Sequence, residues 1–218
     1  MRKYVFLFFF SITGSLFNIG FTIVLTHYIG LPLFLDTIFT IAVTLTGGLA
    51  WGILCGAFTN IINSMIWFQG WGGWLFAFCS IATAFVTWLF MRLFPREINL
   101  TTAVRKSHYD LYENSNISKW LDKMIVLILL SFALCITMSV LGGFIAALIL
   151  SLPSSHSPEA LVSKGFSDTM FNHGFPVFLQ ETLTRIPINI IDRLISVFAG
   201  YCIALGSTAL LKLILHKK

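Results

Sequence analysis

Five ionisable side chains stand where an apolar chain tolerates few of them. Asp36, Glu181, Arg185, Asp192 and Arg193 lie in or beside long apolar runs. A charge held at membrane depth is costly, so it pairs, faces a water-filled cavity, or snorkels to the interface. The adjacent Asp192 and Arg193, within PINIIDRLISVFAGY, therefore have two readings. Either the pair reaches water at the outer end of its helix, or one of the two lines an outward-facing binding cavity. Asp36 faces the same choice, since an acid just after Pro32 also suits the start of a helix. Asn60 places an amide near the middle of another apolar run, where it must hydrogen-bond a neighbouring helix or a bound solute. Trp67, Trp71 and Trp74, with Gln69 among them, form an aromatic group broken by Gly70, Gly72 and Gly73. They read as an interfacial belt, or as a stacking wall for a planar organic solute over which the glycine-rich loop closes. Asp36, Asn60, Trp67, Gln69, Trp71, Trp74, Glu181, Arg185, Asp192 and Arg193 are thus the candidate solute-binding residues. His27, His156 and His173 read as solvated loop residues.

Catalytic patterns are missing. The chain has no GxSxG, no HExxH, no Walker loop and no paired intramembrane aspartates of protease type. A small membrane enzyme would have to draw its acid–base groups from Glu181, Arg185, Asp192 and Arg193. The expectation is a protein that is not an enzyme, needs no cofactor and cannot use ATP by itself. Cys55, Cys79, Cys135 and Cys202 all fall inside apolar segments, where they act as small packing residues. With no CxxC and no HxxxH, no metal site is expected.

These residues must be positioned by membrane helices. Of 218 residues, 57% are hydrophobic and 11% charged, against about 25% charged in a soluble domain. A span needs about 20 apolar residues. Clear runs cover about 4–28, 74–95, 123–151 and 186–214, and the first reads as a retained span, not as a cleaved signal peptide. The stretch 34–68 would be about 50 Å long as one helix. It is better read as two, 34–47 and 49–68, turning at Gly47-Gly48. Positive residues collect on the cytoplasmic side, and charge supports the same count. Six spans with the N-terminus inside put Arg2, Lys3, Arg92, Arg96, Arg105, Lys106, Lys119, Lys123, Lys212, Lys217 and Lys218 indoors, and only Lys164, Arg185 and Arg193 outdoors. The expected fold is therefore all-α: a multi-pass bundle of six transmembrane helices in the cell membrane, both termini cytoplasmic. The inner loop is 96–122 and the outer loop 152–185, in which 175–184 could form a short interfacial helix. The net charge of +5 follows from this topology, so no nucleic-acid partner is required.

Small residues recur at four-residue steps, which keeps them on one helix face. Gly48, Gly52, Gly56, Asn60 and Ser64 form one stripe. Ser131, Cys135, Ser139, Gly143 and Ala147 form another, and Ser196, Gly200, Ala204 and Thr208 a third. Such stripes let membrane helices approach closely. They serve packing inside the bundle, or one of them docks another membrane protein. Span 1, with Ser11, Gly14 and Ser15 in its cytoplasmic half, is the candidate docking face.

The stretches LPLFLDTIFTIAVTLTGGLAWGILCGAFTNII and PINIIDRLISVFAGYCIALG, together about a quarter of the chain, resemble the early and last spans of substrate-binding S components of energy-coupling-factor (ECF) transporters. The resemblance implies a six-span subunit that binds a vitamin or similar micronutrient from outside. It hands the solute to a shared membrane coupling subunit driven by two ATPases. It also implies a small-residue motif on span 1, typically Ala-xxx-Ala, whose place Ser11 and Ser15 would take here. The metal-ion branch of such systems carries a histidine after the initiator. Arg2 stands there instead and argues against cobalt or nickel. A similar pattern occurs in multi-span sensor modules of histidine kinases, so a stand-alone membrane sensor is the alternative.

Overall fold

The fold was obtained as a computed structural model, which describes residues 2–30, 33–67, 73–98, 100, 116–151 and 175–216. These form an all-helical bundle. Helix α1 covers Arg2–Thr22 and continues into a π-helical stretch, Ile23–Ile29. Helix α2 covers Ile38–Gly47, α3 Leu49–Trp67, α4 Ala77–Leu93 after a 3₁₀ turn at Gly73–Phe76, α5 Asn116–Leu150 and α6 Val177–His216. Five helical segments are long and apolar enough to cross a membrane, and α2 is the short sixth. The chain is a multi-pass membrane protein in its architecture. Its lipid-facing side chains include Phe8, Phe9, Phe78, Phe85, Ile125, Phe132, Ile136, Phe144 and Leu213, all exposed.

Three spans differ from their sequence reading. The second begins at Ile38, not at 34: Leu33–Leu35 are non-helical and Asp36–Thr37 form a turn. The last begins at Val177, so the segment expected as a separate short helix over 175–184 is the first part of α6. Pro187 sits inside that helix without ending it. The fifth begins at Asn116. At 1.5 Å per residue, α5 is about 52 Å long and α6 about 60 Å, both longer than the ~30 Å hydrocarbon core.

The central element is α2. Residues Thr37, Ile38 and Thr40–Thr46 are all buried, and α1, α3, α4 and α6 pack around it. Gly48, at φ 93°, takes a backbone conformation that suits glycine and reverses the chain into α3. The small-residue stripes are what allow this helix to be surrounded so closely. A Cβ on Gly52 would sit 1.9 Å from Thr44 Oγ1, one on Gly56 2.8 Å from Ser80 Cβ, and one on Gly200 2.8 Å from the Ile38 carbonyl oxygen. Between α5 and α6, a Cβ on Gly143 would lie 2.3 Å from Thr182 Oγ1.

The stripe on α1 serves the same purpose, which corrects its reading as a docking face. Ser11, Gly14 and Ser15 are buried against α3 and α2. Ser11 Oγ donates to the Leu7 carbonyl at 2.8 Å and the Trp51 carbonyl at 3.4 Å. Ser15 Oγ donates to the carbonyls of Ser11 and Cys55, both at 2.9 Å. A Cβ on Gly14 would meet Phe39 Cβ at 2.9 Å. A hydroxyl that already satisfies a neighbouring backbone inside the chain offers no surface to a second protein. The outward face of α1 carries Tyr4, Phe8, Phe9, Leu16 and Phe17 instead.

The two ends of the bundle separate by charge. Leu7 of α1 meets Gly47 of α2, and Thr46 hydrogen-bonds Ser207 of α6 at 2.8 Å. Met91 and Ile98 join Val126 and Leu127 in one apolar cluster with Leu45 and Tyr201. The starts of α1, α3 and α5 therefore share an end with the finishes of α2, α4 and α6. Among the described residues that end holds Arg2, Lys3, Arg92, Arg96, Lys119, Lys123 and Lys212 against Glu97 and Asp122. The opposite half holds Asp36, Glu181 and Asp192 against Arg185 and Arg193.

Asn18 is the hinge of this packing. Its Oδ1 accepts from the Phe39 backbone N–H at 3.0 Å, and its Nδ2 donates to Thr40 Oγ1 and Thr59 Oγ1, both at 3.3 Å. It caps α2 from a different helix. Asn18→Leu strands that N–H with no water to replace the partner, so it should lower unfolding stability in detergent by about 2–3 kcal/mol. A loss below 0.5 kcal/mol in a denaturant titration would show that another group caps α2.

Candidate functional site

Helix α2 has ten residues, about 15 Å of a ~30 Å hydrocarbon core. Its last residue lies at the basic end of the bundle, so its first lies about half-way through. Non-helical backbone at that depth is tolerated only where protein or a water-filled cavity surrounds it. The short segment leading into α2 carries a left-handed residue, Leu35, at φ 45°. A branched side chain rarely adopts that conformation without outside support.

The support comes from α6. Asp192 Oδ1 accepts from the Leu35 backbone N–H at 2.9 Å. Arg193 Nη1 donates to Thr37 Oγ1 at 2.5 Å, and Nη2 donates to Asp36 Oδ1 at 3.3 Å and to Asp192 Oδ2. Asp192 is fully buried, Arg193 is 2% exposed, and the Asp36 side chain is 17% exposed. Three candidate residues separated by about 156 positions in sequence are thus one ion cluster: two carboxylates around one guanidinium. The reading in which Asp192 and Arg193 only reach water at a helix end is overturned by their burial. Asp36 stands one residue before Thr37, the N-cap position of α2, so its place at the helix start and its pairing with Arg193 hold together.

A second pair lies further out on α6. Arg185 Nη2 meets Glu181 Oε2 at 3.4 Å, with Glu181 buried. The Arg185 guanidinium carbon stands 5.7 Å from the centre of the Phe76 ring and its Nη1 lies over Gly142, so this pair belongs to the α5–α6 side of the bundle. Between the two pairs, Asn189 Nδ2 donates to Ser139 Oγ of α5 at 2.9 Å.

Asn60 takes the interhelical reading. Its Nδ2 donates to Ser80 Oγ of α4. Trp74 is 48% exposed on the outside of the bundle, so the structure does not bring it to the ion cluster. Trp67 ends α3, and its side chain lies outside the described residues, as do Gln69 and Trp71. The part of the outer loop at 152–174, with His156 and His173, also lies outside them. Among the described residues no three of His, Cys, Asp or Glu are grouped as a metal site would require.

The sequence reading missed a wider feature. In the half of the bundle beyond α2, polar side chains point inward and apolar ones outward. On α3, Thr59, Asn60, Asn63 and Ser64 are buried, while Phe58, Ile61, Met65 and Ile66 are exposed. On α6, Gln180, Glu181, Thr182, Thr184, Asn189, Asp192 and Arg193 are buried, while Phe178, Leu179, Ile191 and Ile195 are exposed. The basic end holds the apolar cluster of Leu45, Leu127, Leu130, Leu134 and Val197, with small hydroxyls such as Thr46, Thr87, Ser131 and Ser207 buried beside it. The signal in sequence was the spacing of Thr59, Asn60, Asn63 and Ser64, which puts all four on one face.

No family model, curated protein or solved structure matches this chain.

The ion cluster makes a stability prediction. Arg193→Met leaves the buried Asp192 and the partly exposed Asp36 without their cation and should cost about 3–5 kcal/mol. Combining it with Asp36→Asn and Asp192→Asn removes the uncompensated charge and should return most of that loss. Unfolding titrations of the two variants check it, and equal losses would show that the cluster contributes shape, not charge balance.

Proposed function

We propose that this chain is the substrate-specificity subunit, the S component, of an ECF-type ABC importer. It binds a vitamin-like small organic micronutrient from the outer side of a bacterial or archaeal cell membrane. It delivers that solute through a shared membrane coupling subunit powered by two ATPases. One observation carries the reading. The central helix stops half-way across, and the interior beyond it is lined by polar side chains from α3 and α6, with the Asp36–Arg193–Asp192 cluster at its base. Lipid cannot satisfy such an interior, whereas a polar solute can. The charge separation between the two ends supports the direction: the basic end matches the cytoplasmic side, which leaves the polar half open to the outside. The resemblance of residues 31–62 and 187–206 to S components supplies the class.

Binding is the chain's own task in this reading, and energy comes from elsewhere. The apolar cluster at the basic end keeps the helices together as a body. The polar half selects the solute, and the coupling subunit meets an outward-facing surface, since the Ser11–Ser15 stripe is used up inside.

The test is a purification of the tagged chain from its own host. A small organic molecule extracted from the protein, together with co-purification of one further membrane subunit and a pair of ATPases, is the expected result. A retained molecule without ATPases would transfer the reading to a stand-alone sensor. Neither a molecule nor those partners would overturn solute import altogether.

A further inference from the structure

Helices α1 and α3 run parallel, and their contacts keep a constant offset. Ser11 meets residue 51, Ser15 meets Cys55 and Asn18 meets Thr59, each pair 40 or 41 positions apart. The same offset sets Asn63 beside Thr22 and within one turn of Thr26. The level of Thr59 is also the level of Thr40, because Asn18 bonds both. Asn63 is one turn, about 6 Å, further out, past the first residue of α2. At that level α2 has given way to the non-helical segment before it, whose Phe34 carbonyl bonds Thr22.

The polar groups along this seam are satisfied up to that point and not beyond it. Thr59 Oγ1 donates to the Cys55 carbonyl at 2.9 Å and Asn60 is bonded to Ser80. Thr22 Oγ1 bonds the Asn18 and Phe34 carbonyls, both at 3.1 Å. Asn63 is 9% exposed, and its Oδ1 has no hydrogen-bond partner; Thr26 Oγ1, also buried, has none. A buried polar atom without a partner is costly; Thr87, Thr182, Ser196 and Thr208 also carry one, and on the α1–α3 seam the two at Asn63 and Thr26 lie within one turn of each other. Turning the Asn63 amide over exchanges acceptor for donor at that spot and leaves the vacancy in place.

We infer that Asn63 and Thr26 form a subsite for the amide edge, an N–H beside a C=O, of a small neutral solute. This deepens the solute-binding reading above and rests on it. The carboxamide of Asn63 carries a donor and an acceptor side by side, and an amide or imide edge is its complement in either orientation. Thr26 Oγ1 can donate to the solute carbonyl. Neutrality follows from the charges nearby: Arg193 is shared between Asp36 and Asp192, and Arg185 faces Glu181. A charged solute would have to break one of these pairs.

The test compares the wild-type chain with Asn63→Leu, both purified in detergent. Small molecules are extracted from each for mass spectrometry, and thermal shifts are recorded with uracil and with 1,3-dimethyluracil, which keeps the ring but loses both N–H donors. The expected result has four parts. An amide- or imide-bearing molecule leaves with the wild type only, and uracil stabilises the wild type. Dimethyluracil binds it at least about tenfold more weakly. Empty Asn63→Leu melts no lower than empty wild type, since it loses an unpaired acceptor. Retention of the same molecule by Asn63→Leu, or equal shifts with the two pyrimidines, would overturn this subsite and leave solute binding standing; the vacancy would then hold water. A wild type that carries no molecule and responds to neither probe would overturn both.

Discussion

A helix that begins inside a membrane must find partners for its first backbone N–H groups without water. This constraint governs α2. Only ten residues long, it starts near mid-depth, where each unsatisfied N–H is expensive. Asn18 reaches across from α1 to take the Phe39 N–H. Asp192 takes the Leu35 N–H, and Arg193 ties Thr37 and Asp36 to the same place. Two neighbouring helices thus supply the polar groups that a longer α2 would have supplied with its own backbone. The left-handed Leu35 persists because these contacts over-determine it.

A short central helix divides the interior into two chemistries. Beside α2 the walls are Leu, Ile and Val with small buried hydroxyls among them, and glycines stand at the closest approaches. Beyond α2 the walls are Thr, Asn, Glu and Arg. Several of these groups are bonded to another element: Asn60 to α4, Asn189 to α5, Asp192 to the segment before α2. The polar half is consequently held by directional contacts in which geometry matters more than area. The apolar half is held by area and close packing instead.

The ion cluster shows how closely these halves are joined. Removing the guanidinium would leave two carboxylates in a low-dielectric interior, so Arg193 is required once the acids are there. Asp192 in turn holds the Leu35 N–H, and Arg193 itself holds Thr37, where the chain turns into α2. The cluster sits at the boundary between the apolar core and the polar walls, where a shift of α6 relative to α2 would be felt on both sides.

Much of the architecture was legible without coordinates. The apolar runs announced membrane helices, and the Gly47-Gly48 turn divided 34–68 in two, because these features depend on local periodicity and backbone freedom. The intramembrane status of Asp36, Asp192 and Arg193 was equally visible, since charge in an apolar run is conspicuous. Their mutual contact was not, because nothing in a linear pattern joins residue 36 to residue 193. The stripe of Ser11, Gly14 and Ser15 has one appearance whether it faces a partner or the bundle, and only the position of α3 decided for the bundle. Asn18 and Asn63 stand out in no linear pattern, because only their neighbours in space give them a role. The chain by itself therefore determined that helices form, where they break and which residues are too costly to leave unpaired, all of which are local free energies. Tertiary structure alone decided which of those residues pair with each other, because hydrogen bonds between helices depend on depth and register that no single segment carries.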